Sequence, residues 1–414
     1  MCAEEEIIYV KVKIGVIGYG SRGKGITKAV LLKMPDLEIV AVCDEYEDRA
    51  QLAANTVEEV SGKRPFSTTK HKEVLKLAHL DCVYVATSWE THVEIAIEAL
   101  NQGIPVALEV GGAYSLESLW TLVRTQERTG TPFMFMENCC FAKDELLATS
   151  LVRHGVLGDV VHCHGIYGHY LAKEIASGYQ KRHYRLRNYL TRNGENYPTH
   201  ELGPIAKILN VNRGNRMLSL VSVASRAAGM EEYINLNADK YPELVGKKFR
   251  QGDIVNTIIT CADGSTISLC LDTTLPRHYS REFTVRGTKG MYEQSNNYVH
   301  LMGDAEDWEP AKHYLEYGNN SGKFEEYLPA VWKNITSEQI QSGHGGMDGI
   351  EFRVFVDCLK EGKPMPIDVY DAAAWMCITE LSEASVAHGG TPQAIPDFTS
   401  GMWTRREPQD VVEL

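Results

Sequence analysis

No apolar run in this chain reaches the roughly 20 residues that a bilayer-spanning helix requires, so no membrane span is expected. No CxxC pair occurs among the ten cysteines. Cys139-Cys140 is vicinal, a spacing that suits neither an ordinary disulfide nor a zinc site. Most of the thiols stand inside apolar runs, as at Cys43, Cys82, Cys261, Cys270 and Cys377. They read as buried, reduced cysteines in a reducing compartment, with no metal site. Positive charge is also short. Lys and Arg number 42 against 55 Asp and Glu, a net charge of −13. That balance argues against nucleic acid or an anionic membrane surface as a partner. The opening residues are acidic and carry no basic n-region, so no signal peptide is read. The expected location is the cytoplasm, or the periplasm if a leader has been removed. Internal repeats and low-complexity stretches are missing as well.

What is present is ordinary for a globular protein: 43% hydrophobic and 23% charged residues. A length of 414 residues allows two domains, each with its own core.

The most informative stretch runs from Val12 to Gly23. An apolar strand breaks into Gly18-x-Gly20-x-x-Gly23, and a helical pattern follows at Ile26, Ala29, Val30 and Leu31. A second apolar strand, Leu37 to Cys43, ends at Asp44. Strand, glycine turn, helix, strand and acid together form a dinucleotide-binding fingerprint. Gly18 permits the tight turn, Gly20 a close backbone approach to a pyrophosphate, and Gly23 close packing of helix on strand. The helix start at Ser21 and Arg22 offers unpaired N–H groups to the anion. Asp44 suits two ribose hydroxyls and would repel a 2′-phosphate. The cofactor read from these residues is NAD rather than its phosphorylated form.

Strand and helix alternate through the first part of the chain. Helices are read at Arg49–Val60, His92–Gln102 and Leu116–Gly130, and strands at Asp81–Thr87, Pro105–Val110 and Phe133–Met136. Ligands of such a sheet sit outside the carboxyl ends of its strands. Those ends place Trp89, His92, Glu109, Val110 and Asn138 as further cofactor contacts. Beyond a helix at Asp144–Arg153 the pattern changes to long strand-like runs: Val160–Tyr170, Met217–Ser225, Asp253–Cys261, Thr266–Thr273 and Glu282–Arg286. Asp263-Gly264 marks a hairpin. A helix is read at Val369–Val386. The fold class is therefore α/β: an N-terminal Rossmann doubly wound parallel sheet (1–143), then an α+β domain with a large open, mostly antiparallel sheet (144–414). The C-terminal segment is expected to pack back on the first domain. Residues 172–196, basic and rich in tyrosine, read as a long loop serving as a lid or a substrate wall.

This layout resembles the glucose–fructose oxidoreductase and inositol dehydrogenase family. In most of that family the strand ending here at Glu109 continues Glu-Lys-Pro, with a catalytic lysine. This chain reads Glu109-Val110-Gly111, and the lysine is absent. Other blocks resemble the NAD-dependent glycosidases of glycoside hydrolase family 109. They are Trp89-Glu-Thr-His92, Glu137-Asn-Cys-Cys140, Arg185-Leu-Arg187, Tyr197-Pro-Thr-His200-Glu-Leu-Gly-Pro204, Leu275-Pro-Arg-His-Tyr-Ser280 and Gly343-His344-Gly345-Gly346. Two departures stand out: Gly111 and Ser342, where that group commonly has Pro and Gly.

The resemblance implies a glycoside substrate, of the α-N-acetylgalactosaminide type or a related sugar, and a homo-oligomer paired through the open sheet. It also implies why a hydrolase would carry NAD. Oxidising a ring hydroxyl, at C3, acidifies the neighbouring C2–H. Loss of that proton expels the C1 substituent, water adds back, and the hydride returns. No pair of carboxylates flanking the glycosidic bond is needed.

The acid–base groups for such a cycle are His and Tyr. His200 is the candidate for the C3 hydroxyl proton. If Tyr197-Pro198 opens a helix, Tyr197 and His200 share its first turn and both meet the nicotinamide. Tyr197 and Tyr279 are candidates for contacting the sugar and moving the C2 proton. His344, between glycines on a loop expected to be mobile, is the candidate acid for the leaving oxygen. The resemblance adds Tyr167, Arg185 and Thr199 as substrate contacts. Each has a plainer alternative: tyrosines in strand-like runs pack, a histidine caps a helix, and a basic stretch is a solvated face. The rival function is an NAD-dependent sugar or cyclitol dehydrogenase, and the missing lysine counts against it. A non-catalytic dinucleotide sensor is a third reading, disfavoured by so many His and Tyr groups at one expected site.

Replacing Asp44 with alanine removes two charge-assisted hydrogen bonds to ribose. NAD affinity should fall by about tenfold or more with the fold retained. Titration with NADH followed by its dihydronicotinamide fluorescence, beside a circular dichroism spectrum, checks it, and an unchanged affinity counts against the assignment.

Overall fold

The computed structural model describes residues 11–112, 114–304 and 318–414. The chain forms two compact units, each assembled from separated segments. The first comprises Met1–Glu109, Thr121–Met136 and Ile335–Val369. The second comprises Val110–Trp120, Glu137–Asn334 and Tyr370–Leu414. Residues 137–143, assigned to the first domain from sequence, group with the second unit.

In the first unit, six parallel strands carry the order β3-β2-β1-β4-β5-β6. They are β1 (Val12–Ile17), β2 (Leu37–Cys43), β3 (Phe66–Thr68), β4 (Cys82–Val85), β5 (Val106–Glu109) and β6 (Phe133–Met136). The inner strands read as unbroken apolar runs because parallel strands are covered on both faces. Ile14, Val16, Tyr84 and Leu108 are fully buried. Sequence order reverses at β1, so its carboxyl end is the topological switch point where ligands of such sheets bind. The glycine turn stands there. The late segment Ile335–Val369 completes this unit. Its helix Met347–Glu361 sets Phe352 edge-on to Tyr84, ring centroids 5.2 Å apart. Arg353 reaches Asp36 at 2.9 Å.

The second unit holds an eight-stranded sheet, ordered β13-β12-β11-β7-β10-β9-β8-β14. Its strands are β7 (Val160–Gly168), β8 (Met217–Ala224), β9 (Ile254–Cys261), β10 (Thr266–Asp272), β11 (Thr284–Gly287), β12 (Gly290–Glu293), β13 (Tyr298–Leu301) and β14 (Gln393–Ala394). Only β7 and β10 pair in parallel; the other pairs are antiparallel. Along β9, Val255, Thr257, Ile259 and Cys261 point inward while Asn256, Ile258 and Thr260 point out, the two-residue period of a sheet with one packed face. Asp263-Gly264 does turn β9 into β10, with Gly264 at φ 90°.

Several expectations change. Residues 172–196 are not an open loop. They form three short helices, Ala172–Ala176, Gly178–Lys181 and Arg185–Thr191. Ala172, Ile175, Leu186 and Tyr189 face inward with almost no exposure, and that apolar stripe folds the segment down. Tyr279 does not lie in a strand; it sits between β10 and β11. Pro198 is the N-cap rather than the first helical residue, because the helix starts at Thr199 and runs to Ile208. The helix Met347–Glu361 and the short β12 and β13 were not read from sequence at all. Among the described residues, no helix is long and apolar enough to cross a membrane.

A buried ion pair ties together distant parts of the second unit. Arg213 Nη1 lies 2.8 Å from Asp371 Oδ1, with the side chains 3% and 1% exposed. Arg213→Ala takes the guanidinium from that buried carboxylate, which keeps the Asn212 amide at 3.1 Å and the Lys207 charge nearby. The variant should lose about 3–5 kcal/mol of unfolding free energy in denaturant titration. A loss under about 1 kcal/mol would show that the pair contributes little.

Candidate active site

The glycine turn of the first unit shows which constraints the protein imposes on itself. A Cβ on Gly18 (φ 100°) would lie 2.5 Å from the Ala86 carbonyl oxygen, and one on Gly23 would lie 2.0 Å from that of Gly18. Both positions are closed by the fold. Gly20 is different, because its nearest neighbour is Arg49 Nη1 at 3.9 Å. The space beside it is a cradle that a side chain would fill and a close-lying pyrophosphate can use. The helix Ser21–Ala29 begins there with neither a side-chain cap nor an acidic residue in its first turn. Its N–H groups remain available to an anion. Asp44 is buried at the end of β2. Its Oδ2 accepts Tyr19 N at 2.7 Å and its Oδ1 accepts Tyr46 N at 3.0 Å. Each oxygen keeps a second lone pair for a ribose hydroxyl. These residues fit a dinucleotide.

Arg22, in the same turn, is held by acids. Its Nε donates to Glu109 Oε1 at 2.7 Å, and Nη1 and Nη2 donate to Asp348 at 3.0 and 3.1 Å. Tyr84 OH also donates to Glu109, at 2.6 Å. Burial alone would raise the Asp348 carboxyl, but the His344 hydrogen bond and the Arg22 charge hold it far below the ordinary range. His344 Nδ1 stands 2.7 Å from Asp348 Oδ2. Trp89 is buried near the end of β4. His92 is fully enclosed, and neither ring nitrogen has a hydrogen-bond partner. Burial pushes its pKa down to about 4, so the ring is neutral.

In the second unit the chain passes from β6 directly into Glu137. This carboxylate is completely buried, and Oε1 meets His200 Nδ1 at 2.7 Å and Cys139 N at 3.1 Å. Burial would raise its pKa; the His200 charge and hydrogen bond lower it instead. The carboxylate fixes the ring and turns Nε2 toward Tyr197 OH, 3.4 Å away. Tyr167 stacks at a tilt on Tyr197 (4.5 Å between centroids) and edge-on to His200 (5.6 Å). The Arg185 guanidinium lies 5.0 Å from the Tyr197 ring centre and pairs with Glu174 at 2.8 Å. Burial carries the Tyr197 hydroxyl well above 10, so it is a phenol at neutral pH. Tyr279 is half exposed. It joins the cluster through His169, whose ring is 5.3 Å from Tyr279 and 5.9 Å from Tyr167.

The residues named from sequence thus fall into two groups. Gly18, Gly20, Ser21, Arg22, Gly23, Asp44, Trp89, His92, Glu109 and His344 belong to the first unit, and Val110, Asn138, Tyr167, Arg185, Tyr197, Thr199, His200 and Tyr279 to the second. Tyr167, Arg185, Tyr197 and His200 form one cluster. Thr199 is buried beside His200, and Asn138 is buried in the turn after Glu137. Sequence reasoning missed Glu137 and Asp348 as working residues. The available signal was an acid ending a strand at the ligand edge, and an acid four residues after a glycine-flanked histidine. A histidine that moves protons needs such a partner.

Glu137, Cys139 and His200 could in principle ligate a metal, their donor atoms lying within 4.8 Å of one another. Their present commitments oppose it. His200 Nδ1 is bound to Glu137, and Cys139 Sγ is 2.8 Å from the Arg281 guanidinium, a cation that would repel a metal ion.

Known proteins were then compared with the chain. Residues 12–136 match the family described as "Oxidoreductase family, NAD-binding Rossmann fold", and residues 141–405 match "Glycosyl hydrolase 109, C-terminal domain". A glycosyl hydrolase family 109 protein of Stenotrophomonas maltophilia is 36% identical, covering 96% of this chain and 91% of the relative. An alpha-N-acetylgalactosaminidase of Tannerella forsythia is 34% identical, covering 96% and 88%. Among solved structures, levoglucosan dehydrogenase in complex with NADH and levoglucosan superposes with a TM-score of 0.67 at 19% identity, covering 93% of this chain and all of that one. Apo scyllo-inositol dehydrogenase from Lactobacillus casei gives 0.65 at 15%, covering 94% and 99%. At that identity the structures speak for the fold alone. Taken with a glycine turn shaped for a dinucleotide, these matches mean that the chain belongs to glycosyl hydrolase family 109 and that its cofactor is NAD.

Proposed function

We propose that this protein hydrolyses a terminal glycoside, of the α-N-acetylgalactosaminide type or a related sugar, through transient oxidation at C3. The observation that carries the reading is His200. Its Nδ1 is fixed by a buried carboxylate, and its Nε2 faces the Tyr197 hydroxyl in a cluster that includes Tyr167 and Arg185. The name of the Tannerella forsythia relative supports the sugar class. Bound NAD, held by Gly18–Gly23 and Asp44, supplies reversible hydride acceptance.

The side chains supply the rest. His200 Nε2 takes the C3 hydroxyl proton, and Glu137 stabilises the resulting imidazolium. Arg185 holds sugar hydroxyls through its guanidinium. Tyr167 and Tyr197 wall the sugar, and Tyr197, kept protonated, donates a hydrogen bond. Tyr279 is the candidate for moving the C2 proton. His344 protonates the leaving oxygen. The outward Val223 and Ile258 side chains of the open sheet support pairing into a homo-oligomer.

A sugar or cyclitol dehydrogenase is the second reading, favoured by the match of residues 12–136 to the NAD-binding oxidoreductase family. Val110 stands where most of those enzymes place a lysine. Turnover of an aryl glycoside in deuterated water separates the two. Aglycone release with deuterium at C2 and no net NADH is expected. Stoichiometric NADH without aglycone would overturn the glycosidase reading.

Two substitutions probe the proton steps. His200→Ala should lower kcat by about 10²-fold or more while NAD binding persists. A variant with near-native kcat removes His200 from its role. His344→Ala should lose more activity on alkyl glycosides than on nitrophenyl glycosides, whose leaving oxygen needs no proton. Equal losses on both would refute the assignment of His344.

A further inference from the structure

Four residues in a row take positive φ: Gly343 (86°), His344 (40°), Gly345 (69°) and Gly346 (107°). Glycine accepts this backbone freely, whereas a histidine there is strained. The strain has a visible result. The turn delivers His344 Nδ1 to within 2.7 Å of Asp348 Oδ2, one helical turn further along. Gly343 must lack a side chain for this, since its Cβ would stand 2.3 Å from the same oxygen.

Asp348 has a second attachment. Its side chain is 1% exposed, and both of its oxygens accept from Arg22. Arg22 lies inside the Gly18–Gly23 turn, and its Nε is committed to Glu109, which also receives Tyr84 OH. One buried carboxylate therefore joins the dinucleotide turn to a histidine whose side chain is 59% exposed.

The hydrogen-bond inventory fixes the ring. An ionised carboxylate only accepts, so His344 Nδ1 carries the hydrogen shared with Oδ2. Arg22 Nη1 is 3.2 Å from that nitrogen and donates to Oδ2 as well. Nε2 is left as the ring atom that exchanges a proton, and it donates one from the imidazolium, whose charge the Asp348 carboxylate offsets.

We propose that Asp348 is a positioning residue that fixes His344 with Nε2 outward and fixes Arg22 within the cofactor turn, so that one carboxylate sets proton-donor readiness and cofactor retention together. The proposal rests on the glycosidase reading above, in which the hydride returns at the end of each cycle. Such a cycle gains nothing from cofactor exchange, and a connection that slows exchange suits it.

The test uses the NAD-loaded enzyme and two variants. Asp348→Asn removes the charge and lets the side chain donate as well as accept. Gly343→Ala leaves Asp348 intact and places a methyl group where its oxygen stands. Bound radiolabelled NAD is chased with unlabelled NAD, and histidine ring nitrogen shifts report the tautomer of His344. Both variants should release NAD at least tenfold faster and lose the fixed Nδ1–H tautomer. Both should also copy the leaving-group preference of His344→Ala, and Asp348→Glu should restore part of each effect. Native release rates and a native tautomer in the folded variants would overturn the proposal. If Asp348→Asn fails to fold, Gly343→Ala carries the same readouts. Equal losses of His344→Ala on both glycosides would sink the proton-donor reading alone, because neither release rate nor tautomer depends on it.

Discussion

The histidine–tyrosine cluster of the second unit is held by one buried carboxylate, Glu137. Removed from water, a carboxyl group holds its charge only where cations and N–H donors replace the solvent. Here His200 and the Cys139 amide do so. The same hydrogen bond that keeps Glu137 ionised turns the other nitrogen of His200 toward Tyr197. Tyr167, Tyr197 and Arg185 then shape the surroundings of that nitrogen, so the cluster's acid–base character follows from a single pairing rather than from many independent groups.

A comparable logic recurs in the first unit with different residues. Asp348 holds His344 by one oxygen and Arg22 by both. In each case a histidine is oriented by an acid that is itself shielded from solvent. The acids differ in origin: Glu137 follows a strand, and Asp348 stands in the first turn of a helix. Strained backbone occurs at the second and not the first, with four consecutive residues from Gly343 to Gly346 at positive φ.

Much of the architecture was legible in the sequence because parallel strands with two buried faces leave continuous apolar runs. β2 and β6 match their sequence bounds, and the fingerprint glycines explain themselves in the fold. Short strands such as β12 and β13 were not legible. Four residues are too few to show a period, and their pairing is decided by neighbours far along the chain. The tyrosine-rich stretch at 172–196 misled because its charges and aromatics outnumber the few inward residues, Ile175 and Leu186 among them, that hold it in helices. In the site, residues with distinctive chemistry (His200, Tyr197, Arg185) stood out. Their partners Glu137 and Glu174 did not, because an acid's role depends on what the fold sets beside it.

Asp44 carries a consequence for the choice of nucleotide. Both of its oxygens already anchor backbone amides, Tyr19 N and Tyr46 N. If Asp44 meets the ribose as its place after β2 suggests, discrimination against a phosphorylated ribose and the shape of the loop rest on the same atoms. Swapping this aspartate for a smaller or basic side chain, the usual route to altered coenzyme preference, would also release the peptide groups that it tethers. In this scaffold a change of coenzyme entails rebuilding the surrounding turns rather than editing one position.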